Sequence, residues 1–301
     1  MSAPRPPVAL LCGASGFIGR HIARALQAAG WRARPASRRS VPAVNYARAT
    51  TAGDWLPWLE GVDAVINAVG VLRDSAARPM QALHADAPCA LFDACAARGA
   101  RRVIQISALG VADGDTPYAR TKRQADAHLL ALTAAGRLDG AVLRPSLVFG
   151  AGGASTRLFL ALAGLPVLML PRPVMAARVQ PLAVWDLAEA VAQLAAEASA
   201  TGVFDVAGPQ AMTLADYIAQ LRVSRGRAPA RVWALPDGIT RASARVGDAL
   251  PFSPWCSQAV DLLANGSVAR ANALPALLGR PATAPAQFVP MLAADEARRA
   301  A

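Results

Sequence analysis

The sequence predicts an α/β fold with a doubly wound parallel sheet and a smaller C-terminal lobe, and three observations lead to this prediction. Short apolar runs, which are typical of buried strands, alternate with longer segments that have helical spacing. A glycine-rich turn joins the first such strand to the first helix. The chain has 301 residues, enough for one large domain or two modest ones with a sizeable buried core.

The alternation is clearest in the first half of the chain. The apolar run Val8–Cys12 predicts a buried strand, and residues 18–29 have the spacing of a helix that ends before Gly30. Further strands are predicted at 31–37, 64–69, 103–107 and from 141, and further helices at 83–98 and 118–135. Strands joined through helices form right-handed crossovers, so we expect parallel strands with helices on both faces of the sheet.

The second half of the chain has a weaker rhythm, because Pro and Gly become frequent after Gly150. We therefore predict a first domain over residues 1–150 and a C-terminal lobe over 151–301. Residues 179–206 have the pattern of a strand or loop, a helix and a strand, and we expect them to pack back on the first sheet. The Ala- and Pro-rich tail from Pro281 is expected to be loosely ordered.

The chain is strongly basic, with a formal net charge of +11 and a pI near 10.9. Its arginines are spread along the chain and aromatic residues are few, so we expect no specific nucleic-acid binding. The apolar run Val8–Cys12 is too short for a signal peptide, and the longer run at 158–170 is too short to span a bilayer. We expect the longer run to lie in the core and the protein to be cytoplasmic.

The cysteines predict neither a disulfide framework nor a metal site. Cys12, Cys89, Cys95 and Cys256 form no C-x-x-C pair, and only three histidines are present. Cys12 and Cys89 lie in apolar or helical patterns and are expected to be buried thiols. This usage is typical of a reducing compartment.

The motif CGASGFIG, residues 12–19, predicts a dinucleotide site. Gly13 allows a tight turn, Gly16 lets backbone N–H groups approach a pyrophosphate, and Gly19 lets the helix pack closely on the sheet. The N-terminus of the helix then places positive potential at the phosphates. Strand, loop and helix follow in the order that a Rossmann-type fold requires, so residues 1–150 are predicted to form an NAD(P)-binding domain.

The end of the second predicted strand favours one of the two dinucleotides. NAD sites place Asp or Glu there for the ribose hydroxyls, whereas no acidic residue occurs between Gly30 and Val41. Arg38 stands there instead, and a guanidinium suits a 2′-phosphate through charge-assisted bidentate hydrogen bonds. The sequence therefore favours NADP(H) and leaves NAD(H) open, the alternative being that Arg38 and Arg39 are solvated loop charges.

The only lysine in the chain, Lys122, follows Tyr118 by four residues at the start of a predicted helix. Side chains at this spacing share one face of a helix. A nearby ammonium lowers the pKa of a tyrosine by favouring the phenolate, which suits proton transfer near neutral pH. We therefore predict Tyr118 as the acid/base, Lys122 as its partner, and Ser107 as a donor to a substrate oxygen. The alternative is an exposed helix pair of no consequence.

Four motifs together resemble the short-chain dehydrogenase/reductase superfamily: GASGFIG at 13–19, INAVG at 66–70, ISALG at 106–110 and YARTK at 118–122. Later motifs, such as VLRPSLVFG at 142–150, resemble its atypical or extended branch. That branch contains the NADPH-holding accessory subunit of respiratory complex I and bacterial epimerase/dehydratase-like proteins. The resemblance implies a catalytic group of Ser107, Tyr118 and Lys122. It also implies a cofactor site formed by Gly13, Ser15, Gly16, Phe17, Ile18, Gly19, Arg38, Asn67, Ala68, Val69, Lys122, Pro145 and Ser146.

The resemblance implies an oxidoreductase that transfers hydride between NADP(H) and an unidentified carbonyl or alcohol substrate. Two departures leave an alternative open: Ser107 precedes Tyr118 by only eleven residues, and His84 stands near the place of an assisting asparagine. The alternative is a non-catalytic NADPH-binding subunit for assembly or regulation. Such a subunit would be peripheral to the inner membrane, with the basic surface and the apolar run 158–170 suited to docking on a membrane complex. The sequence indicates neither the substrate nor the oligomeric state.

Overall fold

The computed structural model describes residues 5–38, 40–41, 43–235, 238 and 266–300. The chain divides into two compact units. The first unit takes in the described parts of Met1–Pro145, Trp185–Asp205 and Ala276–Gly279. The second unit takes in the described parts of Ser146–Val184, Val206–Pro275 and Arg280–Ala301.

Strands and helices alternate in the first part of the chain. In chain order the elements are β1 (Val8–Cys12), α1 (Phe17–Ala28), β2 (Arg32–Ala36), α2 (Ala52–Trp55), a 3₁₀ turn (Leu56–Leu59), β3 (Ala64–Asn67), a π-helical turn (Ala82–Asp86), α3 (Ala87–Arg98), β4 (Arg102–Ile106), α4 (Pro117–Ala134) and β5 (Asp139–Pro145).

The later elements are mostly shorter. They are β6 (Val148–Phe149), α5 (Ala154–Gly164), β7 (Val167–Pro171), α6 (Arg172–Ala176), β8 (Arg178–Val179), β9 (Leu182–Ala183), α7 (Val184–Ala196), β10 (Gly202–Val206), β11 (Met212–Thr213), α8 (Leu214–Val223), β12 (Arg231–Leu235), α9 (Leu274–Leu278), a 3₁₀ turn (Pro285–Gln287) and α10 (Phe288–Ala300).

A six-stranded sheet forms the framework of the first unit, in the order β10-β5-β4-β3-β1-β2. The pairs β5–β4, β4–β3, β3–β1 and β1–β2 are all parallel. The chain passes from β1 to β2 on one side and then to β3 on the other side of β1. The loops after β1 and β3 therefore meet at a topological switch point, where ligands bind in open α/β sheets. The predicted Rossmann-type α/β fold is confirmed.

The core of the first unit lies on both faces of this sheet. Strands β1, β3 and β4 are buried along their whole length, as expected where helices cover both faces. Full burial of a large apolar side chain stabilises the fold by about 1.5–3 kcal/mol. The largest buried side chains of this unit include Trp55, Phe92, Leu10, Leu11, Ile22, Leu26, Ile66, Leu91 and Ile104. Cys12 and Cys95 are buried, Cys89 is half-buried, and Cys256 lies outside the described residues.

Two glycines determine how closely α1 approaches the sheet. Gly13 has a φ of +79°, and a Cβ placed on it would lie 2.9 Å from the carbonyl carbon and oxygen of Ala68. A Cβ on Gly19 would lie 2.1 Å from the Gly13 carbonyl oxygen. Because both clashes involve backbone, only glycine fits at these positions. The turn after β1 thereby reaches the turn after β3 with no side chain between them.

Two segments differ from the sequence-based expectation. The helix expected at 83–98 begins with a π-helical turn at Ala82–Asp86, which buries His84. The tail was expected to be loosely ordered, but it forms a 3₁₀ turn and α10. Phe288, at the start of α10, stacks on Phe149 with ring centroids 4.9 Å apart, so apolar packing orders this segment.

Arginines hold the C-terminal end of α5 in the second unit. Arg222 donates to carbonyl groups at and just beyond this end at 3.1 and 2.8 Å. Arg225 and Arg227 donate to Leu160 O and Gly164 O at 2.8 and 2.7 Å. Cations stabilise the last carbonyl groups of a helix, so part of the basic composition has a structural role.

The apolar run 158–170, expected in the core, is buried only in part. Leu168 and Leu170 of β7 are buried, whereas Val167 and Met169 are 43% and 54% exposed. The alternation follows from the two faces of a strand. No helix in the described part of the chain combines the length and apolar character needed to cross a membrane.

Candidate functional site

The turn between β1 and α1 presents backbone donors. Among the described residues, no side chain caps α1 and no acidic residue lies in its first turn, whereas Thr116 and Thr213 cap α4 and α8. Uncapped N–H groups at a helix N-terminus attract anions, so this turn fits a dinucleotide pyrophosphate. Six of the residues predicted for the cofactor site lie in this turn or in the first turn of α1: Gly13, Ser15, Gly16, Phe17, Ile18 and Gly19.

Arg38 lies two residues beyond β2, with an exposed side chain. The loop that carries it is anchored by Ser40, whose hydroxyl donates to Ser37 O at 2.8 Å and accepts from the Ser37 N–H at 3.0 Å. Arg38 therefore stands at the carboxyl edge of the sheet, just beyond the strand that pairs with β1. Arg39 lies outside the described residues.

Asn67, predicted on the adenosine side, is fully buried and bonded within the protein. Its Oδ1 accepts from the Tyr46 hydroxyl at 2.8 Å, and its Nδ2 donates to Gln105 Oε1 at 2.7 Å. Oδ1 also accepts the Val69 N–H at 3.2 Å. The Asn67 side chain thus shapes the loop after β3 and brings Ala68 and Val69, both half-buried, next to the glycine turn.

Lys122 is buried under the ends of two strands. Its Nζ donates to Val69 O and to Ile106 O, each at 3.0 Å. An ammonium has three donors, so one N–H remains beyond these two bonds. Burial lowers the pKa of Lys122 to about 8, although Asp126 acts in the opposite direction.

The pKa of Tyr118 is raised, and the sequence-based expectation of a lowered pKa is wrong. We expected Lys122 to lower it, but burial raises it to about 12 and the charge of Asp126 adds to the rise. Lys122 points its ammonium at two carbonyl groups and has a lowered pKa itself. Tyr118 is half-buried, one helical turn before Lys122 on α4.

Ser107 follows β4 and is bonded to a carboxylate that the sequence analysis did not single out. Its hydroxyl donates to Asp126 Oδ2 at 2.7 Å, and both residues are buried. Arg144, near the end of β5, places Nε and Nη2 3.4 Å from the same oxygen. Burial raises the pKa of Asp126, while Ser107, Arg144 and Lys122 act to lower it.

His84 connects the loop after β3 to α4. Its Nε2 accepts the Val71 N–H at 2.9 Å, so Nδ1 carries the proton and donates to Thr121 Oγ1 at 3.1 Å. The Thr121 hydroxyl donates in turn to Pro117 O at 2.9 Å. The ring also packs edge-on against Tyr118, with centroids 5.3 Å apart. Burial and the charge of Lys122 lower the pKa of His84 to about 3, so the ring is neutral.

The short loop between Ser107 and Tyr118 is held by Arg123. One guanidinium nitrogen donates to Val111 O, Ala112 O and Gly114 O at 3.0, 2.9 and 2.9 Å. The N-terminal side of the loop is fixed where the Leu109 N–H donates to Pro145 O at 2.9 Å. Both ends of the loop are thus anchored to elements that carry site residues.

Pro145 and Ser146, expected beside the nicotinamide, are both buried. The Ser146 hydroxyl donates to Gln180 O, and its N–H donates to Val206 O at 2.9 Å. The Ser146 hydroxyl proton is therefore already used in a hydrogen bond within the second unit.

Sequence reasoning missed Asp126, Arg144, Thr121 and Arg123. Asp126 continues the i, i+4 spacing of Tyr118 and Lys122, which was the available signal. The partners of Thr121, Arg123 and Arg144 come from other elements, so their roles depend on tertiary structure. In the described part of the chain, no three His, Cys, Asp or Glu side chains are grouped to hold a metal ion.

The neutral state of His84 predicts a sensitivity to acid. Its pKa is 6.5 in an unfolded chain and is lowered to about 3 in the fold, so the unfolded state binds the proton more tightly. His84 therefore does not reduce the free energy of unfolding above pH 6.5, and it reduces this free energy as the pH falls below 6.5. Between pH 7 and pH 4, we expect the free energy of unfolding to decrease by about 3 kcal/mol less in His84→Gln than in the unmodified protein.

Denaturant titrations at both pH values measure this effect. His128→Gln is the matched control, because His128 is a partly exposed histidine on α4 that is bonded to Asp93. The control retains His84, so it should keep the loss of stability that is assigned to His84. An equal decrease in the free energy of unfolding of the unmodified protein and of His84→Gln would contradict the assignment of this acid sensitivity to His84.

The amino-acid sequence also matches a known family. The profile of the NAD dependent epimerase/dehydratase family matches residues 9–207. These residues include the glycine turn, the Ser107, Tyr118 and Lys122 group, and β10. Among curated proteins, no sequence matches the chain.

Several solved structures are similar to this one. MoeE5 in complex with UDP-glucose and NAD has a TM-score of 0.70 at 18% identity, over 98% of this chain and 100% of that one. A dTDP-4-dehydrorhamnose reductase from Clostridium acetobutylicum has a TM-score of 0.69 at 17% identity, over 95% and 99%. A UDP-N-acetylglucosamine 4-epimerase from Bacillus cereus has a TM-score of 0.62 at 16% identity, over 88% and 99%. At these identities the similarity shows the fold.

Proposed function

This chain belongs to the NAD-dependent epimerase/dehydratase family, and we propose that it is an oxidoreductase that transfers hydride between NADP(H) and a carbonyl or alcohol carbon. The observation that carries the proposal is the position of Lys122. Its buried ammonium makes two bonds to carbonyl groups at strand ends on the edge of the sheet where the glycine turn lies. Burying a charge is costly, so a ligand for the third N–H, such as a nucleotide ribose, explains why a lysine stands here.

The proposed chemistry divides between the nucleotide and three side chains. Bound nicotinamide would supply or accept the hydride. Tyr118 gives a proton to the substrate oxygen or takes one from it, and Ser107 holds that oxygen in place. Lys122 binds the ribose and, through its two bonds to carbonyl groups, holds the strand ends at the site.

Arg38 supports NADP(H) as the dinucleotide. It is exposed and stands beyond β2 on an anchored loop, and the stretch between Gly30 and Val41 contains no acidic residue to accept from ribose hydroxyls. A guanidinium there would pair with the 2′-phosphate. NAD(H) would lack this contact and bind more weakly.

The preference for NADPH gives the first test. Arg38→Ala should weaken NADPH binding about tenfold or more and leave NADH binding unchanged, because only NADPH carries the 2′-phosphate. Fluorescence titrations with both nucleotides measure this. Arg32→Ala is the matched control, since Arg32 is an exposed arginine at the opposite end of β2. An Arg38→Ala protein with an undiminished preference for NADPH would rule out this role.

The proton-transfer role of Tyr118 gives the second test. Tyr118→Phe should lower turnover at least about a hundredfold and leave NADPH binding intact, because only the hydroxyl is removed. UDP- and dTDP-linked hexoses are the first substrates to assay, since such sugar nucleotides occur in the names or complexes of the similar proteins given above. Unchanged turnover in Tyr118→Phe would remove the tyrosine from the mechanism.

A second candidate function is a non-catalytic NADPH-binding subunit on a membrane-associated complex, similar to the complex I accessory subunit. The observation that favours it is an exposed apolar face in the second unit, where Met169 pairs with Trp233 and the two are 54% and 63% exposed. Exposed apolar faces are typical of docking surfaces. Recovery of the native protein wholly in the soluble fraction would remove this candidate and support a cytoplasmic location.

A further inference from the structure

The Ser107 hydroxyl donates a hydrogen bond to a buried carboxylate. The distance from Ser107 Oγ to Asp126 Oδ2 is 2.7 Å, and the two residues are 5% and 1% exposed. The Ser107 backbone is fixed, since its N–H donates to Leu143 O at 2.7 Å. Asp126 lies one turn beyond Lys122 and two turns beyond Tyr118 on α4, so the carboxylate belongs to the same cluster as the proposed catalytic group.

The number of protons in this pair limits what Ser107 can do. A serine hydroxyl has one proton and two lone pairs. While Asp126 is ionised, that proton is used in the bond to Oδ2, and Ser107 can only accept from a ligand. When Asp126 is protonated, its carboxyl group can donate to Ser107 Oγ, and the hydroxyl is then free to donate to a ligand oxygen.

The surroundings of Asp126 compensate its charge incompletely. Arg144 approaches Oδ2 at 3.4 Å, which is longer than a usual charge-assisted bond. Lys122 acts from the preceding turn of α4. Among the described residues, Oδ1 has no hydrogen-bond partner although it is buried. Burial raises the pKa of Asp126 in spite of Ser107, Arg144 and Lys122.

We propose that Asp126 is a positioning residue whose protonation makes Ser107 a donor to the substrate oxygen. The inference rests on the proposed function, in which Ser107 holds that oxygen. It adds a condition, since binding of a carbonyl oxygen through Ser107 takes up one proton, and that proton resides on Asp126. Binding of a carbonyl oxygen at Ser107 therefore weakens as the pH rises and Asp126 ionises, whereas an alcohol hydroxyl can donate to Ser107 Oγ in either state.

The test follows the titration of Asp126 in protein labelled with [4-¹³C]aspartate. Asp126→Asn and Asp126→Glu each remove the labelled carboxyl at this position and assign its resonance, so one of them serves if the other does not fold. Ser107→Ala should raise the Asp126 midpoint by roughly one pH unit, because a hydrogen bond to the carboxylate is lost. Ser107→Thr, which keeps the hydroxyl, should restore the original midpoint.

The same titration separates a role at the reacting centre from a merely structural one. In protein saturated with NADP⁺, the positive nicotinamide should lower the Asp126 midpoint relative to protein saturated with NADPH. Asp63 is the internal control, because it lies before β3, at the opposite edge of the sheet, and is bonded to Arg5 and the Val8 N–H. Its resonance should be the same with both nucleotides.

Turnover supplies the functional measurement. With a hexose nucleotide that reacts, the rate of the unmodified protein should fall as the pH rises through the Asp126 midpoint. Asp126→Asn should lack this fall, since its amide donates to Ser107 Oγ at every pH. A midpoint that is insensitive to Ser107→Ala, or equal in the NADP⁺ and NADPH forms, would overturn the inference. Failure of NADPH to bind would overturn the proposed function instead, and the Ser107→Ala titration would still decide the coupling.

Discussion

One buried ammonium group holds the candidate site together. Lys122 Nζ donates to Val69 O and Ile106 O, each at 3.0 Å, and so joins the loop after β3 to the end of β4 from a residue on α4. A Cβ placed on Gly70 would lie 3.5 Å from this Nζ, which is an ordinary van der Waals distance, so Gly70 lies next to the ammonium. Burying this charge costs free energy, and the charges and hydrogen bonds of the neighbouring side chains are arranged around it.

The side chains around Lys122 include a neutral imidazole, His84, and a carboxylate, Asp126. His84 is kept neutral by burial and by the ammonium, and it uses both ring nitrogens to join the loop after β3 to α4. Asp126 interacts with the charges of Lys122 and Arg144 and accepts a hydrogen bond from the Ser107 hydroxyl. Two strand ends, a neutral imidazole and a carboxylate thus surround one cation, which explains why so many polar groups are buried at this edge of the sheet.

The sequence was sufficient for the fold because glycine spacing and apolar periodicity are local signals. Gly13 and Gly19 occupy positions where a Cβ would meet backbone, so their pattern reports directly on the turn. The pair of Tyr118 and Lys122 could be found because both lie on one helix. The direction of the Tyr118 pKa could not be found, because it depends on burial and on the charge of Asp126. Arg144 and Arg123 likewise act on partners that only the tertiary structure brings near.

The central claim is that the nucleotide at the glycine turn is a co-substrate of the site around Lys122. The rate at which bound NADPH leaves the purified protein tests this most directly, measured from NADPH fluorescence during a chase with excess NADP⁺. The account predicts exchange within seconds, because an oxidoreductase must release the product nucleotide in every cycle. Retention of NADPH over hours would contradict it and would mean that the nucleotide is a structural part of a binding subunit.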